Sequence, residues 1–233
     1  GMALCDGHAE GLTELRCPFH RWSWDLEGRL REVPSRKGFG ALRNDDLPLF
    51  QVQVDVWGPL VFVNPDPEAG SLADFLAPIP DDCAWAAIED FRCKALLSIP
   101  LRANWKTIID GFSETYHVQG VHPEMLRMVD DVNSPQTIWE YHGKLEQPYG
   151  LASPRLRGEV TDQEIWEGFV EVMGGRIGIH EAAAAGPVPT VPEGSNLRDM
   201  LAQMVRDEYR RAHDVDLSGF DTAQLMNMQQ YNL

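Results

Sequence analysis

The sequence has 233 residues, of which 43% are hydrophobic and 24% charged, a composition typical of one large or two modest folded domains and not of a disordered chain. Thirty-six acidic residues against 20 Lys and Arg give a formal net charge of −16, which argues against nucleic acid or an anionic membrane as a partner. No stretch approaches the roughly 20 apolar residues of a membrane span, and the first 14 residues lack the pattern of a secretory signal, so we expect a cytoplasmic protein.

The first 45 residues predict a small β unit. Two short strands are expected within residues 22–30, joined by a turn at Glu27-Gly28. Farther on, valines at 52, 54 and 56 alternate with polar residues and predict a half-buried strand, which turns at residues 57–59 and returns through residues 60–63. A short helix capped by Ser71 and a strand over residues 93–100 complete this part of the chain.

The segment from Ala103 to Gly120 predicts a helix with two stripes of side chains. The apolar stripe has spacings of four, three and four residues and consists of Trp105, Ile109, Phe112 and Tyr116. The polar stripe lies roughly opposite and consists of Asp110, Glu114 and His117. Gly120 and Pro123 are expected to end this helix.

Two further helices are expected later in the chain. One covers residues 161–172, and the other covers residues 196–213 with Ser195 as its cap. An Ala, Gly and Pro rich connector over residues 182–192 separates them.

Cys17 and His20 form the first candidate site, because a thiolate and an imidazole three positions apart can reach one metal ion from a single turn. Four cysteines are too few for a disulfide framework in a chain of this length. Cys5 and His8 repeat the same spacing, so a zinc site made by Cys5, His8, Cys17 and His20 is one alternative. Cys83 and Cys93 stand beside apolar residues and are expected to be buried without chemistry.

The second candidate site contains Glu114, His117 and His122. On an unbroken helix the two imidazoles would point about 140° apart, so they face one ion only if the helix deforms or stops between them. Gly120 and Pro123 permit that deformation. A plain surface helix with one polar face would show a similar stripe, so the pattern alone leaves both interpretations open.

A family resemblance adds to these two patterns. Residues 17–28, CPFHRWSWDLEG, resemble the second half of the Rieske iron–sulfur motif, and Asn104-Trp105-Lys106 followed by Glu114-x2-His117-x4-His122-Pro123 is similar to the mononuclear iron motif of Rieske non-haem iron oxygenases, the large (alpha) subunits of aromatic-ring-hydroxylating enzymes. The hairpin at residues 58–67 resembles the segment that links the two motifs. The similarity covers most of residues 1–123.

The resemblance implies ligands for two metal centres. Cys17 and His20 would be the second pair of ligands of a [2Fe–2S] cluster, and His117 and His122 would be ligands of a mononuclear Fe(II) that also takes one carboxylate. Glu114 matches the acidic residue that, in the family, links a cluster ligand of the neighbouring subunit to an iron-ligating histidine, and it is the candidate catalytic residue.

The resemblance also implies that parts of both sites lie outside this sequence. The first Cys and His of the cluster motif should fall just ahead of Gly1, and the carboxylate ligand of the iron should come well after the final stretch Gln230-Tyr231-Asn232. We therefore expect a chain truncated at both ends. Arg21 stands where the family usually has Gly, and Asp110-Gly111 stands where Glu-Asn is common.

The expected fold class is α+β: a partial Rieske-type β domain over residues 1–45, then part of a helix-on-antiparallel-sheet catalytic domain over residues 46–233. The complete protein would hydroxylate an aromatic or other organic substrate with dioxygen. Its electrons would come from a ferredoxin or an NAD(P)H-dependent reductase, and its assembly would be a homotrimer. The alternative is a metal-free structural or interaction module, or the small zinc protein described above.

Overall fold

The structure is a computed structural model that describes residues 2–93, 96–181 and 184–233. It divides into two compact units, residues 1–95 and residues 96–233. The predicted domain boundary after residue 45 falls inside the first unit and stays a prediction. In the described part of the chain, no helix has the length and apolar character needed to cross a bilayer.

Short antiparallel strands dominate the first unit. They form a three-stranded sheet, β1-β2-β3, and a separate hairpin, β4-β5: β1 Leu15–Arg16, β2 Ser23–Trp24, β3 Leu30–Glu32, β4 Gln53–Trp57 and β5 Leu60–Asn64. The turn predicted at Glu27-Gly28 is present. Gly28 has a φ of +80°, a conformation that favours glycine, and a Cβ there would lie 2.6 Å from Nε2 of Gln51, so a larger residue would also require the Gln51 side chain to shift.

Two short helices follow the hairpin, α1 Leu72–Leu76 and α2 Ile79–Asp82. Ser71 caps α1 as predicted, because its hydroxyl accepts a hydrogen bond from the backbone N–H of Asp74 at 3.0 Å. The strand with valines at 52, 54 and 56 was predicted to be half-buried, but these three side chains are exposed. Alternation identified the strands, but it does not say whether another element covers either face.

Two other predictions for this region are wrong for the described residues. A strand was expected over residues 93–100, but residue 93 and residues 96–100 have no regular structure. Lys94 and Ala95 lie outside the described residues. Cys83 is buried as expected, whereas Cys93 is exposed. Apolar neighbours in sequence do not bury a side chain unless the segment itself packs.

The second unit places helices beside a three-stranded antiparallel sheet of order β6-β7-β8. Its strands are β6 Gln136–Ile138, β7 Gly143–Pro148 and β8 Asn227–Asn232. Its helices are α3 Trp105–Gly111, α4 Val118–Val121, α5 Asp162–Met173, α6 Leu197–His213 and α7 Thr222–Met226. The strand β7 lies in the middle, and its Leu145 is 1% exposed.

The core of this unit lies between α5, α6 and the segment that follows the candidate iron site. Its buried members include Met128, Val129, Tyr149, Trp166, Phe169, Leu197, Leu201, Val205 and Met226. The cap of α6 is Asn196 rather than the predicted Ser195: the Asn196 side chain accepts from the backbone N–H of Asp199 at 2.9 Å. Both residue types make good caps, so the sequence alone does not choose between neighbours.

The helix predicted over residues 103–120 is two short helices with a turn between them. None of the residues of α3 is buried, and Trp105, Phe112 and Tyr116 are 64%, 59% and 73% exposed, so the predicted apolar stripe does not anchor this helix in a core. Periodicity correctly marks which side chains share a face, but a seven-residue helix buries that face only where another element meets it.

A capping box at the start of α5 gives a test of pH-dependent stability. The backbone N–H of Thr161 donates to the Glu164 carboxylate at 2.9 Å, the Thr161 hydroxyl donates at 2.9 Å, and these bonds hold the pKa of Glu164 below its ordinary value of 4.5. The charged form is therefore favoured in the folded state, so its stabilisation is present above pH 4.5 and is lost as the pH falls through the lower, folded pKa.

We expect Glu164→Gln to be less stable than the wild type near neutral pH, with the difference shrinking as the pH falls from about 6 to about 3. Gln keeps the shape of the capping side chain and removes only the charge. Equilibrium urea unfolding at several pH values measures the difference, and a gap that stays constant with pH would contradict this assignment.

Candidate metal centre

The two histidines of the second motif come together around a single helical turn. His117 immediately precedes α4 and His122 immediately follows it, with φ −129° and ψ 52° at His122 ending the helical conformation. Their ring centroids lie 5.6 Å apart with an interplanar angle of 73°. The helical turn between them is continuous and stops only at His122, so the interruption expected between the two histidines is absent, and the rings approach each other across this single turn.

Glu114 fixes the orientation of His117 with two hydrogen bonds. Its Oε1 lies 2.6 Å from Nδ1 of the His117 ring, and its Oε2 accepts from the backbone N–H of His117 at 3.0 Å. Partial burial raises the pKa of Glu114, but the two hydrogen bonds and the nearby imidazole outweigh it, so the pKa lies below the ordinary value. Because Nδ1 faces the carboxylate, Nε2 is the ring nitrogen presented to a metal.

His122 has a similar carboxylate neighbour that the sequence analysis missed. Oε1 of Glu124 lies 3.5 Å from Nδ1 of His122, so each imidazole has its Nδ1 side towards a glutamate. A carboxylate behind the ligating ring is the usual arrangement for metal-binding histidines. The spacing of two residues between His122 and Glu124 was visible in the sequence, but only the turn of residues 123–127 brings the two side chains together.

These donors fit a mononuclear iron site in their chemistry. Two imidazoles, each with a glutamate on its Nδ1 side, match the nitrogen part of the facial triad that binds Fe(II). Within residues 2–93, 96–181 and 184–233, no group of three or more His, Cys, Asp or Glu is arranged to hold a metal, so a third protein ligand does not join this pair among the described residues.

The last strand supports the segment that leads into the site. Nε2 of Gln230 donates to the carbonyl of Phe112 at 2.6 Å, and Nδ2 of Asn232 donates to the Ser113 hydroxyl at 2.7 Å. Both acceptors directly precede Glu114. Sequence reasoning did not assign a role to β8, because the contact joins residues 118 positions apart.

Cys17 and His20 lie on the turn between β1 and β2. The backbone N–H of Cys17 donates to the Trp22 carbonyl at 2.8 Å, and the N–H of Arg21 donates to the Cys17 carbonyl at 3.1 Å. Cys17 is half-buried, whereas the exposed His20 ring lies against Phe19, with the two rings tilted by 37°. Arg21 has a φ of 64°, so this turn uses the left-handed conformation that explains why glycine is usual there.

Cys17 and His20 are two donors, and a Rieske cluster requires two Cys and two His. The other cysteine and histidine of the zinc alternative do not join them: Cys5 is exposed, and His8 pairs with Glu10 at 3.1 Å. In the described part of the chain, the residues present therefore do not complete either a [2Fe–2S] or a zinc coordination sphere.

Two family models match the chain in the order that the motifs predict. The Rieske [2Fe-2S] domain matches residues 1–54, and the ring hydroxylating alpha subunit (catalytic domain) matches residues 84–182. The second match contains Glu114, His117 and His122, and the first contains Cys17 and His20.

Relatives and solved structures agree with these models. The carnitine monooxygenase oxygenase subunit of Escherichia coli K12 is 28% identical over 158 residues, which are 66% of this chain and 41% of the relative. The glycine betaine monooxygenase oxygenase subunit of Chromohalobacter salexigens is 30% identical over 193 residues, or 76% and 42% of the two chains. A crystal structure of the quaternary ammonium Rieske monooxygenase CntA shares the fold, with a TM-score of 0.55 at 22% identity over 64% of this chain and 42% of that one.

The fold and the comparisons together define the class: the chain belongs to the large (alpha) subunits of the Rieske non-haem iron oxygenases. The predicted α+β fold class, with a Rieske-type domain ahead of a catalytic domain, is confirmed. The chain spans about two fifths of the length of the curated relatives named above, 41% and 42%.

Proposed function

We propose that the complete protein is the oxygenase component of a Rieske monooxygenase system, with His117 and His122 as two ligands of its mononuclear iron. The observation that carries this proposal is the pair of imidazoles 5.6 Å apart, one of them held at Nδ1 by Glu114. On an ideal helix, side chains five positions apart point about 140° apart, so the approach of the two rings depends on His117 and His122 standing at the two ends of α4.

The chemistry of the proposed site divides between the metal and the chain. A bound Fe(II) would supply open coordination positions at which dioxygen reacts close to a substrate. Glu114 accepts a hydrogen bond from Nδ1 of His117, which keeps the Nε2 lone pair available as a ligand and increases the basicity of the ring. We also propose that Glu114 provides the hydrogen-bonded route for electrons that its position in the family motif implies.

We propose that Cys17 and His20 bind one side of a Rieske [2Fe–2S] cluster. Their support is the family motif and their common turn between β1 and β2. Because the cluster requires four ligands and the described residues supply two, this part of the proposal concerns the complete protein. A ferredoxin or NAD(P)H-dependent reductase as electron donor, a homotrimeric assembly and a cytoplasmic location belong to the same proposal.

For the substrate we propose a small quaternary ammonium compound rather than an aromatic ring. The support is that the relatives at 28% and 30% identity are oxygenase subunits for carnitine and glycine betaine. The resemblance to the motifs alone leads us to expect an aromatic or other organic substrate. The proposal of a quaternary ammonium compound narrows that expectation.

The complete protein, supplied with NADH and the NADH-dependent reductase of a Rieske monooxygenase system, tests this function. We expect dioxygen consumption to rise at least about 10-fold with glycine betaine or carnitine, with product formed in proportion, because a fitting substrate couples electron delivery to oxygen insertion. Mass spectrometry with isotopically labelled dioxygen identifies the inserted atom. Product from naphthalene but not from the ammonium compounds would retain the oxygenase and reject the proposed substrate, whereas no substrate-dependent consumption in a protein with both metal centres loaded would reject the proposal.

A further inference from the structure

A buried carboxylate lies beside the proposed iron site without belonging to it. The side chain of Asp131 is 0% exposed and accepts two hydrogen bonds, from the Ser153 hydroxyl at 2.5 Å and from Nε of Arg155 at 2.7 Å. A buried charge is strongly unfavourable unless it is paired and hydrogen-bonded, so these contacts fix the three side chains relative to one another.

The Asp131 cluster, defined as Thr115, Asp131, Ser153 and Arg155, holds the chain just before His117. The buried Thr115 hydroxyl donates to the backbone carbonyl of Asp131 at 2.7 Å. The guanidinium carbon of Arg155 lies 5.9 Å from the centroid of the Tyr116 ring, within the range of a cation–π contact. Thr115 and Tyr116 are the two residues that separate Glu114 from His117.

The same cluster also holds the chain after His122. The backbone N–H of Ser153 donates to the carbonyl of Leu126 at 2.8 Å, and the Ser153 hydroxyl then binds Asp131. Leu126 lies in the turn that follows His122. Both ends of the segment that carries the two imidazoles are therefore hydrogen-bonded to residues of the Asp131 cluster.

We propose that Asp131 and Arg155 are positioning residues for the two proposed iron ligands, an inference that rests on the proposed function. Between the histidines lies only α4, a helix of four residues, which is too short to hold its own geometry in water. Ligands of a metal site must be held to within about 0.5 Å, and residues that they do not contact directly must supply that restraint. The Asp131 cluster supplies it from both sides.

The test is binding of Co(II) to the mononuclear site of the complete protein after iron has been removed from that site. Asp131→Asn keeps the size and loses the charge, and Arg155→Lys keeps the charge and loses the planar group that faces both Asp131 and Tyr116. We expect each variant to bind Co(II) about 10-fold more weakly and to change the visible absorption bands of Co(II), which report ligand geometry.

Arg198→Lys is the matched control. Arg198 is also a half-buried arginine of the second unit, and it donates to the Tyr149 carbonyl and to Oδ1 of Asn227 rather than to residues 114–122. A general loss of stability would appear in this control, whereas a loss of ligand positioning would not. Thermal unfolding of all variants separates the two effects.

The variants are compared at an equal loss of Tm. The inference is overturned if Arg155→Lys and Asp131→Asn bind Co(II) as tightly as Arg198→Lys does and if their Co(II) absorption bands are unchanged. Arg155→Lys decides the question if Asp131→Asn does not fold. His117→Ala separates this outcome from failure of the proposed function. If the wild type and His117→Ala bind Co(II) equally, the proposed function and this inference are both rejected. If only the wild type binds Co(II), the proposed function is retained whatever the Asp131 and Arg155 variants show.

Discussion

Replacing His117 with alanine is expected to remove mononuclear iron from the complete protein and to abolish turnover, while the Rieske cluster keeps its visible absorption. His117 supplies one of the two proposed nitrogen ligands, and its Nδ1 is already held by Glu114. Loss of a residue that merely orients a ligand typically weakens metal binding by about 10- to 100-fold, so loss of the ligand should exceed about 100-fold. Iron analysis with the absorption spectrum measures both centres in one preparation.

His213→Ala is the control for this result. His213 ends α6 in a part of the second unit remote in sequence from the motif. Its exposed ring makes an edge-to-face contact with Tyr209. We expect this variant to retain full iron content. Unchanged iron and turnover in His117→Ala would contradict the assignment of His117, and equal iron loss in both variants would show that the effect is not specific to the site.

The second large effect is expected in the core, where Phe169→Ala should lower the free energy of unfolding by about 3–5 kcal/mol. Phe169 is 0% exposed on α5 and belongs to the same core as Met128 and Val129, which follow the candidate site. Truncation removes apolar burial and leaves a cavity that neighbouring side chains fill only in part. Equilibrium urea unfolding followed by circular dichroism measures the loss.

Val172→Ala on the same helix provides the comparison. Val172 is 41% exposed, so its truncation should cost no more than about 0.5 kcal/mol. A similar, small cost at both positions would contradict the assignment of Phe169 to a packed core and would weaken the argument that this core supports the segment after His122.

Local sequence signals predicted the elements that short stretches of chain determine. The cap at Ser71, the start of α5 after Thr161 and the tight turn at Gly28 depend on residues no more than a few positions apart, and they are present. The end of α4 at His122 belongs to this group, because Pro123 follows directly, whereas the long predicted helix is interrupted at residues 112–117, ahead of α4 and not between the two histidines.

Predictions about burial were less successful, because burial depends on what packs against a segment. The stripe of Trp105, Phe112 and Tyr116 is periodic but exposed, and the valines at 52, 54 and 56 alternate with polar residues but are also exposed. Cys93 illustrates the same point for a single residue. Periodicity reports which side chains share a face, and only packing decides whether the face is covered.

By itself the sequence determined the motifs and the family, since ligand types and their spacing lie within short windows around Cys17-His20 and Glu114-His117-His122. Only the tertiary structure decided what supports the proposed ligands. Asp131 meets Ser153 and Arg155 across 22 and 24 positions, and Gln230 reaches Phe112 across 118. Contacts over such separations arise from loop closure and packing of the whole unit, which leave no periodic or spacing signal in the chain.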